Sequence, residues 1–218
     1  MAACIAHDLR TPLTTIGTCL EMLKKEPGET LEEIDAQLLG LIGKETKRLN
    51  EVIHELLFCS RDCCVEPARV SLTRLLSAIV DACRHKPLFK NIEISLNLPK
   101  HSFTLGHNLQ LERLLENLLS NAAQALEGKG QIRIELRSNI TPKYHQISFK
   151  DNGPGVPEEL RDQIFSPFVS GRQQGCGLGL AICSKIVIAH GGELRLNPDL
   201  KSGCEFLIDL PVCESDPA

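Results

Sequence analysis

Apolar residues recur at spacings of three and four through the first sixty positions of the chain. Ile5, Leu9, Leu13, Ile16, Leu20 and Leu23 form one stripe. Leu31, Ile34, Leu38, Leu41, Ile42, Leu49, Val52, Ile53, Leu56 and Leu57 form a second. The period is that of amphipathic helices. Between them, Glu26-Pro27-Gly28-Glu29-Thr30 punctuates the chain, and Thr30 can cap the helix that follows. A loop this short makes the two helices antiparallel neighbours. Two helices alone cannot bury stripes this wide. A second copy of the hairpin, forming a four-helix bundle, is the economical solution. The alternative is packing against the rest of the same chain.

The pattern breaks near Cys63, and Pro67 marks a linker over residues 63–70. Beyond it helical and alternating segments mix. Helices are predicted over Leu72–His85, Leu109–Leu126 and Leu178–His190, the last ended by Gly191-Gly192. Strands are predicted over Ile92–Leu98, Phe103–Leu105, Ile132–Arg137, Gln146–Lys150, Glu193–Leu196 and Glu205–Leu210. A loop over residues 151–174 holds one helical turn near Glu158–Ile164. The expectation is an α+β chain: a helical hairpin over residues 1–62, then an α/β sandwich over 71–213. In the sandwich, helices cover one face of a mostly antiparallel sheet. Residues 214–218 read as a disordered tail.

Composition narrows the function classes. The chain has 218 residues, 42% hydrophobic and 24% charged, as in a globular protein. With 4% aromatics and no Trp, the core must be aliphatic. The net charge of -4 argues against a nucleic-acid partner, which would need excess cations. No apolar run reaches the roughly 20 residues of a membrane span, and the N-terminus lacks the basic and apolar regions of a signal peptide. These features read as cytoplasmic. Ten cysteines stand at 4, 19, 59, 63, 64, 83, 176, 183, 204 and 213. None forms a CxxC pair or has zinc-finger spacing. Most read as small buried apolar residues; Cys59, Cys63 and Cys64 are the candidates for a redox or metal site.

Four segments carry candidate chemistry. Asp151-Asn152-Gly153-Pro154-Gly155 follows an apolar strand. Its carboxylate can accept from an amino group such as adenine presents, and its glycines let backbone approach a flat ligand; a plain turn is the alternative. Gly175-Cys176-Gly177-Leu178-Gly179-Leu180 opens a helix whose free N–H groups suit phosphate. A Rossmann reading of that GxG spacing is disfavoured, because a polar loop rather than a strand precedes it. Asn117 and Asn121 share a helix face. An amide oxygen there is a hard ligand suited to Mg²⁺, against the plain reading of two exposed polar residues. Finally, His7 is followed by a carboxylate at Asp8, and Pro12 interrupts the helical stripe. Such a proline costs about 3 kcal/mol, and local violations of this kind cluster at functional sites.

Together these segments resemble the sensor histidine kinases of two-component signalling. The H box is His7-Asp8-Leu9-Arg10-Thr11-Pro12-Leu13, and the N box is Glu116-Asn117-Leu118-Leu119-Ser120-Asn121-Ala122. An F-box-like stretch, Ile164-Phe165-Ser166-Pro167-Phe168, stands between the two glycine boxes. Five motifs in order span nearly the whole chain. The resemblance implies a dimerising phosphoacceptor hairpin and a Bergerat-fold ATP-binding domain of the histidine kinase, chaperone and topoisomerase type. It implies that His7 is the phosphoacceptor, Asp8 its general base, and Thr11 a residue that positions water for dephosphorylating the partner. Asn121 would bind Mg²⁺ with Asn117 assisting, and Asp151 would read the adenine amino group. Gly153 and Gly155 would shape the base pocket; Gly175, Gly177, Leu178 and Gly179 the phosphate end. Phe165 and Phe168 would anchor a lid. The partners implied are a second copy of the hairpin and a response-regulator receiver domain.

The chain departs from the family where Gln124 and Ala125 replace a Lys and Tyr common after the N box. Asn121-Ala122-Ala123-Gln124-Ala125-Leu126 resembles the nitrogen-regulator branch instead, and Arg172 is the candidate lid cation. An Asn at 117, where related ATPases carry a water-activating Glu, cannot act as that base; this favours transfer to His over hydrolysis. Three rivals stand beside this reading. They are a serine kinase or ATPase of the same fold, a phosphotransfer scaffold with a degenerate ATP site, and a redox-responsive dimer. His7 has six residues ahead of it, about 9 Å of helix. The expectation is a fragment of a longer, membrane-anchored kinase rather than a protein taking its signal from a partner.

Overall fold

The computed structural model describes residues 2–23, 35, 37–46, 49, 67–141, 143–169, 177–198, 200 and 202–213, with backbone alone for 2–11 and 139–141. The chain divides into two compact units, residues 1–62 (with 174–176) and the remainder from residue 63.

The described residues of the first unit are helical. Helix α1 spans Ala2–Leu23 and runs unbroken through Pro12. Helix α2 is described at residue 35, over 37–46, and at 49. Cys19 is buried, yet Leu13, Leu20 and Met22 on α1 and Leu39 and Leu41 on α2 are exposed. The loop at residues 26–30, and Cys59, Cys63 and Cys64, lie outside the described residues.

The second unit is built on a five-stranded sheet in the order β2-β4-β5-β7-β6. The strands are β2 (Asn91–Asn97), β4 (Lys129–Thr141), β5 (Tyr144–Asp151), β6 (Glu193–Leu196) and β7 (Cys204–Pro211). Only β2–β4 pairs parallel; β4–β5, β5–β7 and β6–β7 are antiparallel. Strict alternation puts Ile132, Ile134, Ile147, Phe149, Phe206 and Ile208 on the buried face. The other face carries polar pairs across strands. Ser148 and Asn197 donate to Glu205, and Gln146 to Asp209, which also pairs with Arg195.

Helices α3 (Leu72–Arg84), α4 (Asn108–Ala125) and α5 (Gly179–Ala189) complete the layer. α4 packs against α5 and α3, and touches β4 and β5. Its stripe of Leu111, Leu114, Leu115, Leu118 and Leu119 is at most 1% exposed, so each leucine contributes about 2 kcal/mol of burial. The aliphatic core expected from the composition is this layer.

Some boundaries differ from the sequence reading. Residues 68–70, assigned there to a linker, form with Ser71 strand β1 (Ala68–Ser71), paired antiparallel with β3 (Phe103–Gly106). Four residues are too few for alternation to register, and the Ser71 hydroxyl also caps α3 by accepting from Arg74 N–H. β4 runs further than residues 132–137 because it is irregular: its register with β5 shifts between Arg137 and Thr141. The helical turn near residue 158 is a 3-10 turn over Glu158–Leu160. Linker residues 63–66 and the tail 214–218 lie outside the described residues.

Candidate functional site

The C-terminal half of α4 is where three of the sequence motifs meet. A Cβ built on Gly153 would stand 3.5 Å from the Ala125 carbonyl oxygen, and one on Gly179 would stand 3.9 Å from Asn121 Nδ2. The end of β5, the last turns of α4 and the start of α5 therefore border one site. Asn121 borders it beside Gly179, and Asn117 stands one turn earlier on the same face of α4.

Asp151 ends β5, opposite Ile132 on one side and Cys204 on the other, and is 5% exposed. The Gly153 N–H donates to its Oδ1 at 2.9 Å, fixing the carboxylate at the rim. Gly155 has φ +81°, and a Cβ there would lie 2.7 Å from the Gly203 carbonyl oxygen. Gly203, at φ +82°, is packed so closely on Asp151 that a Cβ would overlap the Asp151 carbonyl oxygen. Asn152 Oδ1 accepts from Gln131 N–H at 2.8 Å, tying the segment to β4. Gly203 and Asn152 are site-building residues the sequence reading did not single out. A lone glycine in the Ser202-Gly203-Cys204 turn was the one available signal for the first. Cys204, beside Asp151, is buried; burial and then the Asp151 charge push its thiol up to about 12. It is inert packing at neutral pH.

The second glycine segment gives α5 an open N-terminus. Leu178 is 1% exposed and stands at the N-cap position with no side-chain hydrogen bond to the first turn. The initial N–H groups and the positive end of the helix dipole are thus presented without a side-chain acceptor, the arrangement that binds phosphate. Gly177, at φ +64°, accepts from Phe168 N–H at 2.9 Å. Phe168 itself has φ +68°. Phe165 packs edge-on against Phe206 of β7, ring centroids 6.1 Å apart, and fastens the loop to the sheet. Arg172 and Gly175 lie outside the described residues, as do the side chains of His7, Asp8 and Thr11, whose backbone belongs to α1.

Asn117 Nδ2 is buried and has no hydrogen-bond partner. A buried amide left unpaired costs about 1–3 kcal/mol. It is a donor that the protein alone does not satisfy and that an anionic ligand oxygen would. The donor set also fits a phosphate-bound Mg²⁺: a neutral amide oxygen at Asn121, which such an ion takes alongside phosphate oxygens and water.

Two comparisons decide the family. Residues 106–214 match the histidine kinase-, DNA gyrase B- and HSP90-like ATPase family, and residues 1–62 match the His kinase A phosphoacceptor domain. The chain belongs to the sensor histidine kinases. It is 29% identical over 218 residues to sporulation kinase D of Bacillus subtilis, covering 99% of this chain and 42% of that protein. It is 31% identical over 232 residues to the sensory histidine kinase/phosphatase NtrB of Rhodobacter capsulatus, covering 99% and 62%. The histidine kinase ThkA, solved in complex with the response regulator TrrA, superposes with a TM-score of 0.78 at 28% identity, over 98% of this chain and 61% of that one. Full-length ShkA, solved with AMPPNP, gives 0.69 at 27% identity over 98% and 46%. The helical hairpin and α/β sandwich expected from the sequence are the fold of this chain. Cys19, Cys83, Cys183 and Cys204 are buried thiols not joined in disulfides, the state the cysteine reading expected for most of the ten.

Proposed function

We propose that this kinase binds ATP with Mg²⁺, phosphorylates itself on His7, and passes the phosphoryl group to an aspartate of a response-regulator receiver domain. The observation that carries the nucleotide reading is the meeting of the orphaned Asn117 amide, Asn121 and the uncapped start of α5. Asp151 stands at the opposite border of the site, where it can accept from the adenine amino group. ThkA's complex with a response regulator supports the second step.

The residues divide the work as follows. Asp151, with Gly153 and Gly155, orients the base. Asn117 and the N–H groups at Gly177, Leu178 and Gly179 hold phosphate oxygens, Gly175 and the Arg172 cation contribute to the same phosphate end, and Phe165 and Phe168 anchor the loop. Asn121 would hold Mg²⁺, which would supply positive charge to the phosphates. The His7 imidazole nitrogen attacks the γ-phosphorus, a P–N bond forms, the bond to the β,γ-bridging oxygen breaks and ADP leaves. Asp8 takes the ring proton. Positioning and charge neutralisation supply the rate enhancement. Thr11, four residues past His7 on α1, positions water for hydrolysis of the phosphorylated partner.

The exposed Leu13, Leu20, Met22, Leu39 and Leu41 support a homodimer through the hairpin. Among the described residues no helix is long and apolar enough to cross a membrane.

Calorimetric titration with ADP, with and without Mg²⁺, tests the nucleotide site, and transfer of label to a purified receiver domain tests the second step. Saturable binding that strengthens with Mg²⁺ is expected. No binding by the folded protein overturns this reading and favours a phosphotransfer scaffold.

A further inference from the structure

Helices α4 and α5 run antiparallel, and three contacts set their register. At one end Asn121 faces Gly179. In the middle the Cys183 thiol, fully buried, points at the Leu114 carbonyl with Sγ 3.7 Å from the oxygen. At the far end the imidazole of His190, just past α5, accepts at Nε2 from the His107 N–H, 3.0 Å away at the N-cap of α4. Moving back along α4 from Asn121 through Leu114 to His107 corresponds to moving forward along α5 from Gly179 through Cys183 to His190.

The His190 ring is held from both sides. Since Nε2 accepts a backbone N–H, the ring proton is on Nδ1, which donates to the Ile186 carbonyl at 2.7 Å. The ring is 7% exposed and meets His107 edge-on at 5.7 Å between centroids. The backbone around it is cleared to admit it. A Cβ on Gly106 would overlap the imidazole, and one on Gly192 would overlap the Asp209 carbonyl oxygen. Gly191, between ring and strand, takes φ +69°. These features do not serve a surface histidine.

The start of α5 lacks any side-chain cap. Its placement against Asn121 therefore depends on how the helix is fixed further along. A short helix moves as a rigid rod: release its C-terminal tie and it can pivot about Cys183, shifting the N–H groups at Gly179 relative to Asn121. We propose that His190 is a positioning residue for the nucleotide site, its cross-helix bond to His107 holding the phosphate-binding end of α5 in register with Asn117 and Asn121. This rests on the ATP-binding reading above.

Two substitutions separate the two hydrogen bonds of the ring. In His190→Gln the amide oxygen reaches about as far as Nε2 and can accept from His107, while the bond to Ile186 is lost. In His190→Asn the amide can donate to Ile186 but is too short to reach His107. Ile79→Val, a small core truncation on α3, serves as a stability-matched control. Titration with Mg²⁺ and ADP should give His190→Asn a dissociation constant raised about tenfold, the worth of one hydrogen bond's geometry. His190→Gln and Ile79→Val should stay within about twofold of the parent. Gly106→Ala, which presses on the ring, should weaken binding as His190→Asn does. Equal affinities for the parent, Gln and Asn proteins, or equal losses for the Gln and Asn variants, overturn the positioning role. Failure of the parent protein itself to bind overturns the nucleotide reading instead.

Discussion

Gly155 and Gly128 offer a controlled pair. Both have φ +81°, so replacing either with Ala incurs the same left-handed backbone strain, about 1–2 kcal/mol. They differ in surroundings. A Cβ on Gly128 meets nothing within 4 Å, whereas one on Gly155 lies 2.7 Å from the Gly203 carbonyl oxygen. Ordinary carbon–oxygen approach is about 3.3 Å, so the Gly203 turn must yield by about 0.6 Å. Gly203 is itself packed on Asp151 with no room for a Cβ, so the displacement reaches the carboxylate. Overpacking of this kind adds about 1–3 kcal/mol. A misdirected Asp151 further weakens a charge-assisted bond to the base worth about 1.5–3 kcal/mol. Urea unfolding should show Gly155→Ala less stable than Gly128→Ala by that overpacking cost. Titration with ADP should show at least tenfold weaker binding for Gly155→Ala alone. Equal stabilities and equal affinities in the two variants would refute the claim that this turn sets the geometry of Asp151.

Other outcomes follow from the same geometry. Asp151→Asn keeps a carbonyl oxygen to accept from Gly153 N–H, so its thermal midpoint should stay near the parent value while ADP affinity falls about ten- to hundredfold; calorimetry on the folded variant checks both. Asn117→Ala removes an unpaired buried donor. It should leave the free protein no less stable and abolish much of the midpoint rise that Mg²⁺ and ADP give the parent; an undiminished rise would contradict the role. His145 and His190 are held by burial below the ordinary histidine value of 6.5. The unfolded chain then binds protons that the fold refuses, so their contribution to stability is complete above about pH 6.5 and declines as the pH falls below it. Urea unfolding at pH 7.5 and 5.5 should show that loss, reduced in His145→Gln.

Helices α3 and α4 were legible because each is strongly periodic, with leucines of α4 falling on one face, and the short, nearly all-apolar α5 because glycines bound it at both ends. Strands β5 and β7 were legible from their alternation of apolar and polar residues. β1 was not: four residues beside Pro67 acquire strand geometry only by pairing with β3, some thirty-five positions on. The site divides in the same way. Asp151, Asn117, Asn121 and the second glycine segment announce themselves by residue type and spacing. Gly203 does not, because its need for a hydrogen where other residues carry Cβ arises from a backbone some fifty residues away in sequence. His190 reads as an ordinary helix-end histidine until the fold brings His107 to its ring. Local pattern reveals the chemistry; the residues that hold the chemistry in place are known from long-range contact.

The central claim is that His7 carries the phosphoryl group, and locating the label tests it directly. The protein is incubated with γ-labelled ATP and Mg²⁺, beside His7→Gln, and the label is followed through acid and base. The account predicts an acid-labile, base-stable label on the parent and none on His7→Gln, which should still bind ADP with parental affinity. Label retained by His7→Gln, or an acid-stable label on the parent, would contradict it and point to a hydroxyl acceptor.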